Sequence, residues 1–106
     1  MDEFFPVQCA DTLRRIALQV KQARLQQAIR QVDISERLGV SLRAYRLIEK
    51  GEPGVSLRDF MLVLWNLGLS DRIFQSLKED PSFSTSLEQE TASRRVRLAK
   101  SSPENF

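Results

Sequence analysis

The 106-residue sequence predicts an all-α fold of five short helices followed by a flexible C-terminal tail. Three observations predict it. Apolar residues recur every three or four positions, glycines fall where three of these runs end, and a serine stands where the helix after each of those glycines would begin. With 42% hydrophobic residues and only four glycines and four prolines, the composition is that of a globular domain and not of a linker. A chain of this length buries only about 60 to 65% of its unfolded surface, enough for one small domain and a tail.

The elements follow in order. From Cys9 to about Gln27, Leu13, Ile16, Ala17, Val20 and Leu25 recur at helical spacing, with Asp11 expected in the first turn, where the helix dipole favours negative charge. The segment RQVDISERL carries Val32, Ile34 and Leu38 and stops at Gly39, a second helix that is short and needs packing to persist. Ser41 is placed to cap a third helix, which carries Tyr45 and Ile48 and ends at Gly51. After the loop EPGV, Ser56 caps a fourth, apolar over a wide arc through Leu57, Phe60, Met61, Leu64, Trp65 and Leu67 until Gly68. Trp65, among so many apolar neighbours, is expected in the core or in a dimer interface. Ser70 and Asp71 open a fifth helix with Ile73, Phe74 and Leu77 on it, ended by Asp80 and Pro81. The domain is thus expected over 8–80. The serine-rich remainder, 81–106, shows no sustained periodicity and reads as a tail that is disordered alone or ordered on a partner.

The residue inventory narrows the function. One cysteine, Cys9, excludes an intrachain disulfide and a two-cysteine metal site, and the absence of histidine removes the commonest general base and most remaining zinc chemistry. No Gly-rich phosphate loop and no nucleophile–base constellation is present, so neither an enzyme nor a cofactor is expected. The amino terminus, MDEFFPVQ, is acidic where a signal peptide is basic, and no apolar run approaches the ~20 residues that span a bilayer; a cytoplasmic protein without membrane contact is expected. Sixteen Lys and Arg against fourteen Asp and Glu give a net charge of +2, too little to argue for a nucleic-acid partner by itself. The local balance is more suggestive. Arg30, Arg37, Arg43, Arg46 and Lys50 outnumber Asp33, Glu36 and Glu49 between positions 30 and 50.

Two helices joined by a short turn with a glycine form a helix-turn-helix, whose second helix enters the DNA major groove while the first crosses the backbone. Apolar Ile34, Leu38, Val40, Tyr45 and Ile48, small Ser35 where the helices approach, and Gly39 at the reversal fit that arrangement. Once Tyr45 and Ile48 face inward, Ser41, Leu42, Arg43 and Arg46 fall on the outer face at the amino end of the third helix. An arginine there is either part of a solvated face or paired with guanine O6 and N7 or with phosphate; the motif favours DNA, which would explain why no partner for either arginine is apparent in the chain. Leu42 has two readings, contact with a thymine methyl or packing on the amino end of the second helix.

Over about Leu13 to Asp80 the sequence resembles the Xre, or lambda-repressor-like, five-helix DNA-binding domains. The resemblance implies DNA contact by Gln31, Ser41, Leu42, Arg43, Arg46 and Lys50, and a structural ion pair between Arg24 and Glu49. The runs EKGEPGVSL and LWNLGLSDR, with RRVRL in the tail, are similar to those of HipB-like antitoxins encoded beside HipA-like serine/threonine kinase toxins. That similarity implies a homodimeric repressor of its own type II toxin–antitoxin operon, with operator DNA and a HipA-like kinase, in one chain or two, as partners. A stand-alone Xre-family or phage-type regulator is the alternative. The dimer seam is expected at Leu69, Ile73, Phe74 and Leu77. The tail residues Arg94, Arg95 and Arg97 have three readings: phosphate contacts beside the operator, an arm for the toxin, or an ordinary solvated terminus.

Overall fold

A computed structural model describes residues 4–79 and 88–94, with no strand among them, and the fold is all-α as the sequence predicts. The first compact unit, Met1–Ile73, holds α1 (Val7–Gln26), α2 (Gln31–Leu38), α3 (Leu42–Lys50), α4 (Leu57–Asn66) and α5 (Ser70–Ile73). The second unit, Phe74–Phe106, holds α6 (Ser76–Glu79) and a further helix, α7, over 88–94.

The third helix organises the first unit, touching α1, α2 and α4. Its Tyr45 and Ile48 are buried, and around them close Ala17, Val20 and Ala23 of α1, Ile34 of α2, Val63 and Leu64 of α4, and the connecting residues Val40, Leu67 and Leu69. Ser35 is the buried polar residue among the described residues, with its hydroxyl donating to the Val32 carbonyl at 3.0 Å, so its small size serves the helix approach without leaving an unpaired group.

The boundaries have local causes. Ser41 Oγ accepts from the Ala44 N–H and Ser56 Oγ from the Asp59 N–H, each at 3.0 Å, and so cap α3 and α4. Gly39 and Gly51 close α2 and α3 at φ 67° and 77°, where an L side chain is disfavoured. Gly51 carries a second constraint. A Cβ there would lie 3.1 Å from the Arg14 Cα, so the glycine also lets α3 end against the backbone of α1. We expect Gly51→Ala to lower stability by about 1 to 2 kcal/mol or more, since strain and crowding add. Gly39→Ala meets no such contact and should cost less in the same thermal-melt comparison.

Two boundaries differ from the sequence reading. α1 starts at Val7, directly after Pro6, which places Asp11 beyond the first turn; its carboxylate instead meets Arg15 one turn on, at 3.0 Å. The expected single fifth helix is broken into α5 and α6 by a turn at Phe74–Gln75. Backbone bonds from Leu77 N–H to Phe74 O and from Lys78 N–H to Gln75 O span three residues, not four, so the α ladder of α5 is not continued. Within the expected tail, α7 carries an exposed Arg94–Glu90 pair at 3.4 Å, one turn apart. The rest of 81–106, Asp80, Arg95 and Arg97 lie outside the described residues.

Candidate nucleic-acid interface

The outer face of α3 is built by exclusion. Because Tyr45 and Ile48 turn into the core, Ser41, Arg43, Arg46 and Lys50 are left exposed, and Leu42 half-exposed. Arg43 makes no hydrogen bond or ion pair among the described residues, and neither does Lys50. The expectation that Arg46 is also unpartnered is corrected: its Nε donates to Oε1 of Gln31, across the helix pair, at 3.3 Å. That one bond uses one of the five N–H donors of the guanidinium.

Gln31 is the first residue of α2, and its side chain joins the outer surface to a nearly buried ion pair. Its Nε2 donates to Glu49 Oε1 at 3.2 Å. Glu49 is itself held by Arg24, whose Nε and Nη2 donate to its two oxygens at 2.6 and 3.1 Å, while Arg24 Nη1 donates to the Ile29 carbonyl. The Arg24 and Glu49 side chains are only 11% and 6% exposed. The bidentate geometry clamps α1 to α3 and carries a chain of contacts outward through Gln31 to Arg46. Since Glu49 accepts only, the Gln31 amide is oriented with its nitrogen inward and its oxygen outward, and the outward oxygen receives Arg46.

The charge state follows from the same contacts. Burial pushes the Glu49 carboxyl up, yet the Arg24 hydrogen bonds, with further help from Tyr45 and Gln31, outweigh it and hold the group below its ordinary value. Arg24 is correspondingly raised, chiefly by its hydrogen bonds to Glu49. The buried Tyr45 hydroxyl beside this carboxylate makes no hydrogen bond of strict geometry, though its proximity still favours the ionised acid; burial foremost pushes its own titration up. At the amino end of α2, Arg30 pairs with Asp33 at 2.9 Å and holds that carboxyl down. Unlike α3 and α4, α2 has no side-chain cap.

The residues expected at a dimer seam are placed differently. Leu69 is 1% exposed and belongs to the core, which removes it from an exposed seam: the chain folds back after α4 and buries it. Ile73 and Phe74 are half-exposed and Leu77 exposed. Trp65, expected in the core or a dimer interface, is 67% exposed, so the core reading fails. Sequence reasoning missed the bridging role of Gln31. Its contacts cross 15 and 18 positions of the chain, and no local pattern marks them.

A family model described as helix-turn-helix matches residues 20–70, from the second half of α1 to the start of α5. Over that segment the chain is similar to helix-turn-helix domains, in which the second helix of the pair enters the DNA major groove. No curated protein and no solved structure matches the chain. Among the described residues, no helix is long and apolar enough to cross a membrane, and no group of three or more His, Cys, Asp or Glu is placed to hold a metal ion.

Proposed function

We propose that the protein is a homodimeric, sequence-specific DNA-binding repressor that acts as the antitoxin of a HipA-like serine/threonine kinase and represses their shared operon. Residues 8–80 form the DNA-binding domain, and the tail over 81–106 supplies either an arm for the kinase or phosphate contacts beside the operator. The observation that carries DNA binding is the exposed amino half of α3: Ser41, Arg43 and Arg46 stand on one outward surface, with Gln31 beside them and Lys50 at the far end. In the groove Arg43 and Arg46 meet guanine edges or phosphate, Ser41 and Leu42 meet base edges or a thymine methyl, and Gln31 and Lys50 meet the backbone. The uncapped α2 amino end adds backbone N–H groups suited to a phosphate.

Operator titration tests this reading. Arg43→Ala and Arg46→Ala should each weaken binding by about 1 to 3 kcal/mol, with the thermal midpoint nearly unchanged because both side chains are exposed. Wild-type affinity in both variants would remove α3 as the reading helix. The antitoxin role is supported by EKGEPGVSL, LWNLGLSDR and RRVRL, and co-purification of a kinase from the native operon tests it. Repression with no kinase captured leaves the stand-alone regulator.

A further inference from the structure

The fourth helix presents an apolar surface that the fold does not cover. Leu57, Met61 and Trp65 are 74%, 39% and 67% exposed, and they stand at i, i+4 and i+8. At about 100° per residue the three lie within roughly 80° of one another and form one ridge along the helix. The core-facing residues Val63 and Leu64 lie on the adjoining arc, Leu64 only about 20° from Leu57. α4 is therefore apolar over one wide arc, part of it buried and part of it open. An open face with a tryptophan at its end is unusual for a folded monomer, and tryptophan is among the side chains that most often anchor an interface.

We infer that this ridge receives a second copy of the chain, α4 packing against α4 across a two-fold axis at Met61; the inference rests on the homodimer proposed above and names its seam. A closed two-fold interface uses the same patch on both subunits, so the patch must be complementary to itself. The ridge meets that condition. Leu57 and Trp65 lie four residues to either side of Met61, so antiparallel pairing sets Leu57 against the partner's Trp65, twice, with the two methionines meeting on the axis. Like ridges of i±4n residues pack at about −50°, the commonest crossing in globular proteins. Charge does not oppose it. The only charged residues of α4 are Arg58 and Asp59, and they pair within the chain at 3.1 Å. A second copy is also what a helix-turn-helix needs, because one reading helix spans only a few base pairs and a two-fold supplies the second half-site about 34 Å away.

The test uses a charge exchange on the axis, measured on the full chain without DNA by sedimentation equilibrium. The parent should be a dimer. Met61→Glu and Met61→Lys should each be a folded monomer, because every copy places its charge against its own likeness, and an equimolar mixture of the two should restore a dimer containing one of each. Trp65→Ser provides a second measurement that introduces no charge, and should weaken self-association on the order of thirtyfold with the thermal midpoint unchanged. A monomeric parent overturns the inference. So do single Met61 variants that dimerise as the parent does, which returns the seam to Ile73, Phe74 and Leu77, and so does a mixture that stays monomeric. Because DNA is absent throughout, charge-exchange dimerisation upholds the seam even if the parent binds no operator fragment, an outcome that sinks only the DNA reading.

Discussion

Arg24→Ala lowers the free energy of unfolding by an expected 3 to 5 kcal/mol, about the cost of removing one partner from a buried ion pair. The reason is local. Glu49 keeps its charge in a site where its side chain is 6% exposed, and loses both of its Arg24 hydrogen bonds at once. Domains of this size hold only about 5 to 15 kcal/mol, so urea unfolding should show a protein near the edge of stability. The paired replacement Arg24→Met with Glu49→Leu should recover much of the loss, because no uncompensated charge stays buried. A variant Arg24→Ala as stable as the parent would show that water reaches this pair freely.

The pair also sets an acid limit. Glu49 has its folded-state pKa below the ordinary 4.5, so its stabilising contribution is fully present above that value and disappears as pH falls through the lower folded value. As pH falls below about 4.5 the parent should therefore lose more stability than the paired apolar variant. At neutral pH the network is fully ionised, the state in which Gln31 is held for Arg46.

Operator affinity should fall on the order of a thousandfold or more between 50 and 200 mM salt, the loss for a dimer that neutralises roughly six to ten phosphates. Arg30, Arg43, Arg46 and Lys50 of each subunit of the proposed dimer supply the candidate charges, and all four are exposed. Arg30 already holds Asp33, so its contribution should be smaller than that of Arg43, which has no partner among the described residues. Each phosphate contact removed should lower the slope of log affinity against log salt by about one. A slope near zero, measured by fluorescence anisotropy with a labelled operator fragment, rules out the backbone contacts assigned to α2 and α3.

What the sequence alone determined is the local part of this protein. Ser41 and Ser56 mark helix starts, and Gly39 and Gly51 mark helix ends, because capping and positive φ are satisfied within a few residues of each position. The period of Tyr45 and Ile48 likewise fixes the inner face of α3, and with it the outer face that carries Arg43 and Arg46. Tertiary structure decided the remainder. α4 is apolar over so wide an arc that its sequence does not say which part is covered; the neighbouring elements bury Val63 and Leu64 and leave Trp65 outside. Leu69 and Phe74 look alike as apolar residues near a helix, yet the reversal after Gly68 takes Leu69 into the core, and the turn at Phe74–Gln75 ends the helix that would have aligned Phe74 with Leu77. The path from Arg24 through Glu49 and Gln31 to Arg46 joins positions 15 to 25 residues apart. Hydrogen bonds of that kind depend on where the folded chain brings side chains within about 3 Å of each other, a distance that periodicity and capping do not encode.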